Sequence, residues 1–267
     1  MSIYAFLNNK GGLGKTSCSI SLAVAIASRD KDKNTRVLLI DNDPQSNATS
    51  LLLGDAQIPR TLYNIYSDLM QGEIPDPANC IYPTLHGIDC LPNSNDTGNI
   101  EFDLYQDAAN YNLFRTVVRD YVVKNYDYVF IDCPPTLGFW AVSALLCADA
   151  VIVPVEAGSR LSIDGLDSVM KAVEKISLQT NKNLRFLRAL INKVDARTST
   201  AKLIIKTIHR RYPDQVFNTT IPMTTAIQKA ELMRMPVMKF DPQCSASKRF
   251  RALADELIEI EAETANG

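Results

Sequence analysis

Histidine is nearly absent from this chain: His86 and His209 are the only two among 267 residues. Neither has a metal-ligating neighbour at helical spacing, which argues against a zinc site and a Ser-His-Asp triad. Any bound metal is therefore expected to be a hard, oxygen-ligated cation. The six cysteines lack a C-x-x-C pair, and most lie in apolar runs, so they read as reduced core thiols. No apolar run reaches the roughly 18 residues of a membrane span. The N-terminus has no basic start followed by an apolar stretch, so no signal peptide is expected. Neither sign of charge dominates: 28 Lys/Arg face 30 Asp/Glu, for a net charge of -2. That sum speaks against a nucleic-acid partner only if the charges are evenly spread.

Enough apolar sequence is present to build a core. Hydrophobic residues make up 46% and charged residues 22%, which excludes global disorder. The length suits one large α/β domain. Continuous apolar runs at 3–7, 36–40, 128–131, 150–155 and 187–191 read as parallel strands covered on both faces. Helical stretches are predicted at 16–28, 61–71, 111–124, 137–147, 162–180, 199–211 and 246–261. The alternation predicts an α/β fold with a doubly wound, mostly parallel sheet and helices on both faces. Residues 72–99 read as loops around short strands near 80–82 and 87–91. Ligands of such a sheet sit at the carboxyl ends of its strands.

One such end carries Asn8-Asn9-Lys10-Gly11-Gly12-Leu13-Gly14-Lys15-Thr16-Ser17. The glycines let backbone amides turn toward a phosphate, and the helix that follows adds its positive end. Lys15 is placed to bridge β- and γ-phosphates, and the Thr16 hydroxyl to ligate Mg²⁺. The strict pattern G-x-x-x-x-G-K-[ST] is not met, because Asn9 stands where the first glycine belongs. The actual string is K-G-G-x-G-K-T, with a second lysine at Lys10.

Carboxylates end two further strands. Asp41 and Asp43 alternate in Asp41-Asn42-Asp43-Pro44-Gln45-Ser46-Asn47, so both lie on one side of the chain. One suits hydrated Mg²⁺ and the other an attacking water, although the string alone is also a plain Asp-Pro turn. Asp132 closes Val129-Phe130-Ile131-Asp132-Cys133-Pro134-Pro135, which fits a strand whose carboxylate reaches Mg²⁺ through water.

KGGLGKT resembles the deviant Walker A box of the ParA/MinD superfamily of ATPases, a branch of the P-loop NTPases. DNDPQSN is similar to its first switch box, and IDCPPTLG to its second. The resemblance implies ATP and Mg²⁺ as cofactors and a nucleotide site at Lys10, Gly11, Gly12, Leu13, Gly14, Lys15, Thr16 and Ser17. It implies catalytic roles for Lys10, Lys15 and Asp43, with Lys10 acting in trans on the partner's nucleotide in an ATP-dependent homodimer. Thr16, Asp41 and Asp132 then form the magnesium side, Asp41 being the more structural. Asn192, at the end of the strand near 187–191, is the candidate adenine contact, or else a polar turn residue. Gln45 and Asn47 match the first box without a defined role.

Charge distribution separates the branches of that superfamily. Residues 197–251 carry eleven Lys/Arg and three acids, a balance of +8. The segments on either side are each -5. Lys202, Lys206 and Arg210 recur every four residues, forming one basic stripe on the 199–211 helix. Such a stripe is either a solvated face or a surface that binds DNA phosphates without reading sequence. The resemblance to ParA-type ATPases favours DNA, with Arg197, Lys202, Lys206, Arg210 and Arg211 as candidate contacts. It also implies a centromere-binding (ParB-type) partner and a cytoplasmic, nucleoid-associated protein. The acidic ending ADELIEIEAETANG is the opposite of a membrane-lying basic helix, so no membrane partner is expected. Only nine residues precede Lys10, so the expectation is one ATPase domain over 1–267 without an N-terminal helix-turn-helix domain. A ParA-like ATPase with a non-DNA cargo, and a metabolic ATP-dependent ligase on the same fold, remain alternatives.

Overall fold

Buried strands with apolar residues on both faces need cover on both sides, and the computed structural model supplies it. It describes residues 2–29, 35–158 and 161–266. In chain order the elements used below are β1 (Ser2–Phe6), α1 (Lys15–Arg29), β2 (Val37–Asp41), α2 (Asn47–Leu53), α3 (Leu62–Met70), β3 (Tyr82–Pro83), β4 (Asp89–Leu91) and α4 (Glu101–Leu104). After them come α5 (Asp120–Asn125), β5 (Tyr128–Asp132), α6 (Phe139–Cys147), β6 (Ala150–Glu156), α7 (Leu161–Gln179), β7 (Arg185–Asn192), α8 (Ser199–Arg211), α9 (Thr225–Leu232), α10 (Val237–Phe240) and α11 (Ser245–Asn266). The strands form one seven-stranded sheet in the order β3-β4-β2-β5-β1-β6-β7. All neighbours are parallel except β3, which pairs antiparallel with β4 at the edge.

The period of two in the strands divides the core into two layers. Ile3 and Ala5 of β1 face a layer with Val129 and Ile131, closed by residues of α3, α6 and α7. Tyr4 and Phe6 face the opposite layer with Leu39 and Phe130, closed by α1 and α11. Tyr4 stacks on Phe130 at 5.4 Å between ring centroids. The predicted doubly wound α/β sheet is therefore the fold observed.

Element boundaries moved in ways that matter for the site. β2 and β5 run one residue further than their apolar runs, so Asp41 and Asp132 belong to the strands and pair in register. The expected 111–124 helix contains a π-helical stretch at Arg115–Arg119, with Phe114 and Val118 both buried. α2 and α9 were not expected. At seven and eight residues they are too short to display a helical period. The six cysteines are free, five of them buried. No helix among the described residues is long and apolar enough to cross a membrane.

Candidate functional site: a glycine loop facing strand-end carboxylates

The glycine loop leaves the central strand β1 and enters α1, so the positive end of that helix points into the space above the sheet. Asn8 anchors the loop: its buried amide donates to Pro154 O at 2.8 Å, and its Oδ1 accepts from Lys10 N at 3.2 Å. Gly12 and Gly14 adopt left-handed φ of 74° and 78°. At Gly14 a Cβ would also lie 2.5 Å from Asn192 Nδ2, so only glycine fits there. Asn192 clamps the loop from β7, donating to Leu13 O at 2.9 Å and accepting from Lys193 N at 2.8 Å. Lys193, which the sequence reading did not single out, donates to Gly12 O at 2.5 Å.

A cleft of about 750 Å³ opens over this loop. Gly11, Gly12, Gly14, Lys15, Thr16, Ser17, Asp43 and Asn192 line it, as do Gln45 and Asn47. Leu13 instead turns its side chain inward, at 5% exposure. Lys10 is not among the lining residues. Its backbone carbonyl accepts from Lys15 Nζ at 3.1 Å. The far wall comes from α9 and its approach, including Met223, Thr224, Ile227, Gln228 and Glu231. Glu231 accepts a hydrogen bond from Ser17. These wall residues belong to neither the phosphate-loop box nor the switch boxes, so the sequence reading gives them no site role.

Charge is concentrated beneath the loop. Thr16 Oγ1 donates to Asp132 Oδ2 at 2.6 Å, while Asp132 Oδ1 is buried without a hydrogen-bond partner. Burial, then the neighbouring Asp41, pushes the Asp132 carboxyl up to about 8. Asp41 is likewise pushed up by burial, to about 6, against the opposing hydrogen bonds from Thr49. Its Oδ2 accepts from Thr49 N at 2.8 Å and Thr49 Oγ1 at 2.7 Å, and its Oδ1 accepts from Asp43 N at 3.3 Å. Asp41 thus spends its oxygens shaping the following turn and does not line the cleft. Asp43 does line it, with its Oδ1 accepting from Gln45 N at 2.9 Å. Burial raises its pKa, opposed by that N–H and by Lys15. Burial also lowers the pKa of Lys15, opposed chiefly by Asp132.

The orphaned Asp132 oxygen beside the Thr16 hydroxyl is a donor set suited to a hard divalent cation. No group of three or more His, Cys, Asp or Glu among the described residues could hold a metal alone. A cation here would depend on ligand phosphates and water for its remaining coordination.

Of the five basic residues singled out on the 197–211 segment, three come together. Lys202, Lys206 and Arg210 are exposed on α8, opposite its buried Ala201, Ile204 and Ile208. The other two have acidic partners. Arg197 forks onto Asp195 at 2.9 and 2.8 Å, holding that carboxyl down at about 2. Arg211 pairs with Asp167 of α7 at 2.6 Å.

A glycine loop between a central parallel strand and a helix, with its lysine and hydroxyl over strand-end carboxylates, defines a P-loop nucleoside-triphosphatase site. The AAA_31 family model, an AAA domain, matches residues 1–186. Over 263 residues, 98% of the chain, it is 32% identical to the chromosome partitioning protein ParA of Caulobacter vibrioides, covering 95% of that protein. It is 30% identical over 256 residues to the sporulation initiation inhibitor protein Soj of Bacillus subtilis, covering 96% of this chain and 97% of Soj. Among solved structures it resembles cobyrinic acid a,c-diamide synthase from Mycobacterium smegmatis with bound ATP analog and magnesium. That match has a TM-score of 0.80 and 26% identity, over 97% of this chain and 94% of the other. The chain belongs to the ParA-like partition ATPases of the AAA_31 family.

The buried carboxyls predict a pH dependence. Asp41 and Asp132 have folded pKa values above the roughly 3.9 of an unfolded Asp, so the folded state binds the extra protons. Their stabilising contribution is complete below about pH 4 and is lost as pH rises through about 6 and about 8. Melting curves of the ligand-free protein should therefore show Tm falling between those two values, with a flatter profile for Asp132→Asn. Equal slopes in the two proteins would show that Asp132 does not titrate there.

Proposed function

We propose that the chain is an ATP-dependent DNA-partition ATPase that binds ATP and Mg²⁺ in the glycine-loop cleft. The observation that carries this reading is the convergence of Lys15, Thr16, Asp43 and Asp132 on one loop, in a chain of the ParA-like family. The glycine-loop amides and the start of α1 would cradle the phosphates. Lys15 would leave Lys10 O for the β- and γ-phosphates. Thr16, and Asp132 through water, would hold the magnesium ion, which when bound neutralises charge on the β- and γ-phosphates. Asp43, partly desolvated yet facing the cleft, would orient the attacking water and accept its proton. Asn192 would bear on the adenine with its remaining amide N–H while holding the loop.

Lys10 lies outside its own cleft, which supports a role across the interface of an ATP-dependent homodimer, on the partner's nucleotide. There it would supply charge where negative charge develops during phosphoryl transfer. DNA would be held nonspecifically through Lys202, Lys206 and Arg210, with Arg197 and Arg211 recruited if they exchange Asp195 and Asp167 for phosphates. Hydrolysis, stimulated by a ParB-type partner, would release the DNA, placing the protein on the nucleoid in the cytoplasm.

A second reading draws on the Mycobacterium smegmatis synthase resemblance: a ligase that spends ATP on a small acid and has no affinity for DNA. A gel shift on nonspecific duplex DNA separates the two. Binding with ATP but not ADP is expected, weakening as salt rises. The Lys202→Ala/Lys206→Ala/Arg210→Ala variant should lose about tenfold or more in affinity at moderate salt. No wild-type shift at low salt with ATP would remove the DNA reading. In a hydrolysis assay, Asp43→Ala should bind ATP normally and turn over at least about a hundredfold more slowly. Undiminished turnover would remove the assigned role of Asp43.

A further inference from the structure

Two loops must hold still for hydrolysis: the turn carrying Asp43 and the turn after Asp132. Residues 93–112 touch both. At the first turn, Thr49 Oγ1 donates to Asp41 and accepts from Asn93 N at 2.9 Å. Asn93 Oδ1 in turn accepts from Ser94 N at 2.9 Å and from the Thr97 hydroxyl. Asn93 and Thr97 are buried at 3% and 0% exposure, so this is an interior knot. Gly98 follows near Pro44: a Cβ there would lie 3.8 Å from Pro44 Cβ.

At the second turn, α6 begins without a capping side chain, because its N-cap is Gly138. A helix start leaves N–H groups in need of acceptors. Tyr105 supplies one: its hydroxyl accepts from Phe139 N at 2.7 Å. A Cβ on Gly138 would stand 2.8 Å from that hydroxyl, so glycine is what lets it in. The Tyr105 ring also packs edge-on against Phe139 and Tyr111, at 5.8 and 6.2 Å. Between the two ends, Leu104 is fully buried and pins α4 to the body.

We infer that residues 93–112 are a strap tying the Asp43 turn to the turn after Asp132, with Thr97 and Tyr105 as positioning residues for ATP hydrolysis. Neither side chain lines the nucleotide cleft. Tyr105 makes the tie at one end; at the other, Thr97 braces Asn93, whose backbone N–H makes the tie to Thr49, so loosening either end frees both catalytic turns. Loss of alignment acts on turnover rather than on ground-state ATP binding, because the phosphate loop is held separately by Asn8, Asn192 and Lys193.

The inference rests on the ATPase reading for its kinetic test, while a second measurement is independent of it. Tyr105→Phe keeps the ring and removes the acceptor; Thr97→Val keeps the shape and removes the donor. In steady-state hydrolysis by the full chain, each should lower kcat about five- to tenfold with KM for ATP within about twofold. The double variant should be no slower than the slower single, since both cut one bridge. Thr97→Ser, which retains the hydroxyl, should keep wild-type kcat. Unchanged kcat in either single variant, multiplicative losses in the double, or slowing in Thr97→Ser would overturn the strap. Hydrogen exchange of the Phe139 amide in nucleotide-free protein needs no turnover. Exchange should accelerate in Tyr105→Phe and also in the distant Thr97→Val. Acceleration in the first alone overturns the strap, whereas an inactive wild type showing both accelerations would refute the ATPase reading only.

Discussion

The constraint on which the rest of the site depends is the burial of carboxylates at the ends of two neighbouring parallel strands. Asp41 and Asp132 face each other in register, both fully buried, with Asp43 just beyond and one lysine above them. Like charges at this spacing in a dry site cannot all ionise without compensation. The protein compensates unevenly. Asp41 is satisfied by Thr49 and the Asp43 N–H. Asp132 takes one hydroxyl and keeps one oxygen bare. The Asp132 carboxyl lies against Thr16, at the start of the helix that follows the glycine loop.

Strand order is what brings these groups together. β1 is flanked by β5 and β6, and β2 pairs on the far side of β5, so the loops after β1, β2 and β5 open over the same end of the sheet. β7, two strands from β1, returns Asn192 and Lys193 to the same loop from the other direction. The loop is gripped from both sides; at Gly14 the Asn192 amide leaves no room for a side chain, whereas Gly12 requires glycine for its left-handed φ alone. The segment 93–112 then joins the Asp43 turn to the turn after Asp132, so the catalytic groups rest on the carboxyl ends of interior strands and a strap together.

The parallel core and the phosphate loop were legible because their signals are local. Buried strands are continuous apolar runs, and the loop is a short string whose glycines and lysines have direct physical meaning. The roles of Asp41 and Asn192 were less legible, since each depends on which partner claims its oxygens or amide. Thr49 and Leu13 are those partners, and nothing in their spacing announces them. The α9 wall, Lys193 and the Tyr105 cap were invisible for the same reason: each acts across a long chain separation. On α8 the period of four in the basic residues was readable, whereas the pairing of Arg197 and Arg211 with acids was set by packing.

Burial and the neighbouring Asp41 favour a protonated Asp132 carboxyl in the ligand-free protein, and positive charge arriving in the cleft would favour its ionisation. Calorimetric titration of the preformed magnesium–ATP complex at about pH 7, in buffers of different ionisation enthalpy, measures that proton directly. The wild type is expected to release protons to the buffer on binding, and Asp132→Asn to lose that release. Binding without proton release, or equal release in the two proteins, would contradict this protonation of Asp132.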